Sequence, residues 1–236
     1  MPNNRRGAAR SVYRLQSWRD RVRDPVLTSM LVVQCLIIFV AAPCAAAGYP
    51  GSGITLELLL LVLSFLIILV SQGRATTTLT TVAMGLGVIG TGWTLFTPAA
   101  STAFIAHSGT IIGGLVGGYI IGRAVFAAGK VTTHRVIGAV VLYLTFGLIG
   151  NSAYRLIWDL FPDSLGGIPP GTRPIQAAGT ILYFSFVTLT TIGYGDIVPL
   201  HPLARSLANL EGIIGQLYPA TLLARLVSLE LEARRR

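Results

Sequence analysis

The stretch Thr188-Leu189-Thr190-Thr191-Ile192-Gly193-Tyr194-Gly195-Asp196 decides how this chain reads. A cation crossing an apolar layer must exchange its hydration shell for other oxygens, and successive backbone carbonyls supply them if they face a common axis. Ordinary residues resist that arrangement, because a Cβ disfavours the left-handed backbone angles needed at alternate positions. Gly193 and Gly195 lift the restriction. The expected ion ligands are Thr191, Ile192, Gly193 and Tyr194, with the Thr191 hydroxyl at the inner end. Ile192 and Tyr194 side chains are expected to point away from the axis and wedge the strand in place. Asp196 sits just outside, where a carboxylate anchors the strand and attracts cations. One strand cannot encircle an ion. Four copies about a rotational axis can, so the stretch implies a homotetramer.

Immediately upstream, Ile175–Thr188 is apolar but only 14 residues long, which suits a re-entrant half-helix and is too short to span. It lies within Phe161–Pro202, a segment too polar and too rich in Pro and Gly to cross a bilayer. Farther out, six segments approach the roughly 20 apolar residues that a membrane helix needs. They are Val26–Ala47, Ile54–Ser71, Ala75–Phe96, Ala103–Ala128, Val136–Trp158 and Leu203–Leu229. The expected fold is therefore an all-α membrane protein of six transmembrane helices plus a re-entrant pore helix and selectivity-filter loop. Small residues in the third and fourth segments, notably Gly113, Gly114, Gly117, Gly118 and Gly122, predict close helix packing.

Composition agrees with that solvent. Of 236 residues, 53% are apolar and 11% charged, against about a quarter charged in soluble domains. Arg5, Arg6, Arg10, Arg14, Arg19, Arg21 and Arg23 crowd the amino-terminal tail and are expected to hold it in the cytoplasm. Six crossings then place Arg74, the Arg123–Arg135 connection, Arg225 and Arg234–Arg236 on the same side, with both termini cytoplasmic in the plasma membrane (cell inner membrane). A cleaved leader ending at Ala45-Ala46-Ala47 fits less well, since its apolar run is long and its loss would leave an odd number of crossings. The net charge of +9 does not imply nucleic acid, because the arginines flank apolar spans and form no patch with stacking aromatics. The expected partners are three further copies, membrane lipid and an unidentified gating ligand or protein. The chain divides into a basic tail (1–24), a four-helix transmembrane domain (25–130), a pore domain (131–230) and a second basic tail (231–236). Cys35 and Cys44 read as buried thiols, with neither a disulfide framework nor a metal site.

Over about Thr132–Arg236 the sequence resembles the tetrameric potassium-channel family, whose filter reads Thr-Val-Gly-Tyr-Gly; here Ile192 replaces the valine. The resemblance implies an outer helix, a pore helix over Ile175–Thr188, the filter, and an inner helix. It implies filter support from Thr188, Thr190 and Asp196, and makes Tyr183 and Phe184 the aromatic pair that braces the filter. Val187 departs from members that carry a carboxylate there, so a carboxylate pair with Asp196 is not expected. Gly215 falls where many members have a hinge glycine; Gly212 is a second candidate, and Pro219 removes a helix hydrogen bond nearby. Leu222, Leu223 and Leu226 either narrow the inner mouth or simply pack. Glu211, an acid inside a span, is a functional candidate by default, and bonding to a pore-helix hydroxyl or to Gln216 is favoured over ion contact. Glu57 reads as a residue that snorkels to the interface.

Six spans with the pore last is also the plan of voltage-gated channels. A sensor needs arginines at every third position of the fourth helix, because each charge moved yields only about 2.3 kcal/mol per 100 mV. Arg123, Lys130 and Arg135 do not have that spacing and read as anchors on the cytoplasmic side, as in a prokaryotic type without a sensor array. Few residues follow the last span, so no large ligand-binding domain is expected there. The leading expectation is a passive potassium-selective channel that needs no cofactor, potassium being the transported ion. The alternatives are a potassium-transporter subunit and a non-conducting modulatory subunit. No enzyme is expected: His107, His134 and His201 have no metal spacing, and no nucleophile motif is present.

Overall fold

The computed structural model describes residues 25–70, 74–94, 100–127 and 132–234. The amino-terminal arginines, Lys130, Arg235 and Arg236 lie outside the described residues, as do the side chains of Glu57, Arg74, Leu226 and Arg234. Seven helices and one short ribbon follow in order among the described residues. They are α1 (Pro25–Ala46), α2 (Ser52–Val70), α3 (Arg74–Thr94), α4 (Ala100–Val125), α5 (Thr133–Leu160), β1 (Leu165–Gly166), α6 (Pro174–Leu189), β2 (Val198–Pro199) and α7 (Pro202–Arg234).

Three of these helices are long and apolar enough to cross a membrane: Pro25–Ala46, Ser101–Val125 and Thr133–Leu160. The other three expected spans, α2, α3 and α7, are helical as well. Five threonines between Thr76 and Thr81 dilute α3, and α7 carries Arg205, Glu211, Arg225, Glu230, Glu232 and Arg234 along its length. Large apolar side chains nevertheless face outward on every helix from α1 to α7 except the short α6: Phe39 is 70% exposed, Phe65 59%, Ile89 63%, Leu115 55%, Val136 44% and Ile213 55%. Such a surface suits hydrocarbon and not water.

Inside, one apolar core runs across the expected boundary at residues 130 and 131. It joins Met30 and Ile37 of α1, Leu63 and Ile67 of α2, Ile121 of α4, Val141 and Leu142 of α5, and Leu182 of α6. The first helix therefore packs directly on the pore-helix candidate, where Gly179 of α6 lets the Ala42 carbonyl and Ala46 approach. A π-turn at Ile37–Ala41 precedes Pro43 in α1, with the Ala42 amide donating to the Ile37 carbonyl. Proline has no N–H and crowds the carbonyl four residues back, so the wider turn relieves both problems without ending the helix.

The small-residue packing expected of the third and fourth segments is present between α3 and α4, with different glycines making the tightest contacts. Gly109 meets the backbone of Ala83 and Gly87, and Gly90 meets Ala106. Gly114 and Gly118 instead receive Ile149 and Leu142 side chains from α5. A second, smaller core beneath the outer loop gathers Tyr154, Leu165, Ile181, Phe184 and Ile197.

Candidate cation site

Helix α6 aims its carboxyl end at the decisive stretch. It starts at Pro174, whose missing N–H costs nothing in the first turn, and it closes at Thr190, whose amide donates to the Phe186 carbonyl at 2.9 Å. The backbone then turns left-handed at alternate residues: φ is +58° at Thr191, +61° at Gly193 and +79° at Gly195. Glycine adopts these angles freely, whereas Thr191 adopts one against its Cβ. The alternation turns successive peptide groups the same way. Amides point back into α6, with Thr191 N–H donating to the Thr188 carbonyl at 2.9 Å and Ile192 N–H to the Val187 carbonyl at 3.0 Å. Among the described residues, nothing donates to the carbonyls of Thr191, Ile192, Gly193 or Tyr194. All residues from Thr190 to Asp196 are exposed in a single chain, Ile192 by 54% and Tyr194 by 69%.

The other expected support residues take distinct places. The hydroxyls of Thr188 and Thr190 donate to the Phe184 and Phe186 carbonyls at 2.9 and 2.6 Å, so they fasten the end of α6. Tyr183 lies beside the Asp196 carboxylate, while Phe184 is buried edge-on to Tyr154, with centroids 4.9 Å apart. Beyond Asp196, β2 pairs with β1, and the Ser164 carbonyl accepts from the Leu200 and His201 amides at 2.8 and 3.1 Å. That ribbon clamps the outer end of the stretch to the loop after α5.

Behind the stretch lies a buried polar cluster. Glu211 is only 4% exposed, and its Oε1 sits 2.6 Å from Ser185 Oγ on α6. The same Oγ is 2.8 Å from the Gly147 carbonyl of α5. A hydroxyl has one proton and cannot donate to both acceptors at once. Both contacts hold together when Glu211 carries a proton and donates to Ser185, which in turn donates to Gly147. Gly150 makes room, since a Cβ there would meet Ser185 Oγ and the Glu211 carboxylate. Tyr154 also faces this carboxylate. Glutamine at 211 keeps a donor, so Glu211→Gln is expected to retain the folded assembly. Glu211→Leu removes the partner on one side of Ser185, leaves its bond to Gly147, and should lower stability by about 1 kcal/mol per subunit, read as a lower melting temperature of the purified protein.

Sequence reasoning missed several partners. Gln216 Nε2 donates to Thr191 Oγ1 at 3.1 Å rather than meeting Glu211. Tyr143 donates its hydroxyl to the Leu189 carbonyl at 3.3 Å. Only a serine and a tyrosine inside otherwise apolar helices, Ser185 and Tyr143, signalled such contacts in advance. On α7, Gly215 presses on the Leu189 carbonyl, where any Cβ would collide, and Gly212 has open space beside it. Next along, Tyr218 donates to the Ala139 carbonyl at 2.8 Å and stacks on Tyr143. Helix α7 runs unbroken through Pro219. Leu222 packs against the core, and Leu223 is 65% exposed. Elsewhere, Arg123 lies 5.8 Å from the Tyr119 ring centre, and His201 stacks on Phe161. Both cysteines are free thiols, and no metal-ligand cluster occurs among the described residues.

Comparison with known proteins bears on the same segment. Residues 131–231 match the family model described as "Ion channel". "Two pore potassium channel b" of Oryza sativa subsp. japonica is 35% identical over 86 residues, which are 36% of this chain and 22% of that protein. "Inward rectifier potassium channel Kirbac3.1" of Paramagnetospirillum magnetotacticum is 33% identical over 70 residues, 30% of this chain and 22% of that one. "Two pore potassium channel c" of the same rice is 35% identical over 97 residues, 41% and 20% of the two chains. The chain thus spans about a fifth of the length of these curated relatives. No solved structure matches.

Proposed function

We propose that this chain, similar over residues 131–231 to ion channels and in part to named potassium channels, is one subunit of a homotetrameric, potassium-selective channel. The observation that carries the reading is the alternating left-handed backbone at Thr191, Gly193 and Gly195, with the intervening carbonyls left free of donors. Potassium, the transported ion, is held by oxygens of Thr191, Ile192, Gly193 and Tyr194 from four chains. The exposure of Ile192 and Tyr194 supports the tetramer, because only neighbouring copies would give those side chains a wall. Asp196, Thr188, Thr190, Tyr183, Phe184 and Glu211 hold the filter from behind and above. Helices α2, α3 and α7 join the other three long ones as the six spans, both termini facing the cytoplasm of the plasma membrane. Flux is passive and needs no cofactor. The irregular spacing of Arg123 and Arg135 supports a channel that is not conventionally voltage-gated.

Purified protein in liposomes tests this. Unitary currents reversing at the potassium equilibrium potential are expected, together with fourfold ion density beside Thr191–Tyr194 in a cryo-electron map. Absence of current would leave a non-conducting modulatory subunit, and flux coupled stoichiometrically to a second ion would indicate a transporter subunit.

A further inference from the structure

A cavity of about 80 Å³ lies away from the filter, bounded by α2, α3, α4 and α5. Its volume exceeds several-fold the roughly 10–15 Å³ that one water needs on the same measure. The wall is apolar, with Leu60, Leu63 and Ile67 on α2, Met84 on α3 and Leu148 on α5. Leu61, 41% exposed, lies at the rim, where the cavity meets the lipid-facing surface. Part of the lining is polar. His107, 5% exposed, places Nε2 3.1 Å from Asp159 Oδ2 there. On the same lining, Asn151 Oδ1 is buried and has no hydrogen-bond partner among the described residues.

A buried amide oxygen without a donor forfeits the hydrogen bond it had in water, and a group supplied by an occupant would restore it. The occupant's body must match an apolar wall and its tip must pair with an amide. A hydroxyl does so whichever way the amide is turned, since it both donates and accepts. Arg155, the one arginine on the lining, is not without a partner, and an uncharged head suffices for Asn151.

Helix α5 connects this cavity to the filter support. Leu148, Asn151 and Ser152 line the cavity, while Gly147 and Gly150, on the next positions round the helix, meet Ser185 and Glu211. A displacement of α5 by one side chain would be felt at both sites. We propose that this cavity is a regulatory site for an uncharged, hydroxyl-bearing amphiphile that enters from the lipid, with its hydroxyl on Asn151 and its chain along Leu60, Leu63 and Met84.

The test uses the whole chain in liposomes, irradiated with a diazirine-bearing 1-octanol or with a hydroxyl-free diazirine octane, adducts being located by mass spectrometry. Octanol adducts are expected to concentrate on Leu60, Leu63, Met84 and Asn151, and to disappear in Ser64→Leu, which fills the cavity from α2. Should Ser64→Leu not yield folded protein, Leu63→Phe fills the same space. Asn151→Leu should lower octanol labelling by up to about tenfold, one hydrogen bond's worth, and leave octane labelling unchanged. Adducts spread evenly over the outward-facing Phe39, Phe65 and Leu115, or equal loss of both probes in Asn151→Leu, would overturn the site. This arm reads binding alone and stands apart from the channel reading. A second arm, resting on that reading, measures potassium flux with unmodified 1-octanol. Flux is expected to respond in the parent and not in Ser64→Leu; full labelling without a flux response overturns the regulatory role.

Discussion

Gly195→Ala is expected to abolish potassium-selective flux while leaving the protein folded. At φ +79° a residue with a Cβ is strained by about 1–2 kcal/mol. Four subunits would accumulate roughly four times that figure at one ring of oxygens, enough to favour a flipped peptide over the carbonyl-inward one. Crowding is not the cause, because nothing lies within 4 Å of the position a Cβ would take. The effect is purely one of backbone chirality, which yields a control: D-alanine at 195, for which a positive φ is relaxed, restores flux. Gly193→Ala at φ +61° should behave alike. Flux retained in Gly195→Ala liposomes, with potassium selectivity intact, would show that the alternating backbone does not build the ion path.

The second large effect concerns Gly215→Ala, and it separates a hinge from a packing contact. An added Cβ would fall on the Leu189 carbonyl, the group that closes α6 just before the filter. Both partners are backbone and neither can rotate aside. Overpacking of this kind costs about 1–3 kcal/mol per subunit, so thermal stability and flux should fall together. Gly212→Ala is the control: its neighbourhood is empty, and alanine gains about 1 kcal/mol of helix propensity. A pure hinge predicts the opposite pattern for Gly215→Ala, with altered opening at unchanged melting temperature. The Tyr218 hydroxyl, fixed to the Ala139 carbonyl at 2.8 Å one turn further on, also argues that this part of α7 is held.

The alternating backbone at Gly193 and Gly195 was legible because its determinants are local. Left-handed angles at Gly193 and Gly195 follow from the residues themselves, and a 14-residue apolar run ahead of them can be only a short helix. Hydrophobic length likewise placed all the long helices to within a few residues. Thr191 was different: nothing local signals φ +58° in a β-branched residue. The surrounding bonds impose it, with its amide held by Thr188 and its hydroxyl by Gln216.

What this sequence determined unaided was the left-handed glycine positions, the half-helix before them and the apolar helices around them, since each depends on residues within a turn or two of one another. Only the tertiary structure decided that α1 braces α6, that Ser185 joins Glu211 to Gly147, and that Gly215 is shaped by the Leu189 carbonyl. Those pairs lie 26 or more positions apart, where side-chain periodicity carries no information about which faces meet. Packing volume and the need to satisfy buried polar atoms choose the partners, and both are properties of the assembled bundle.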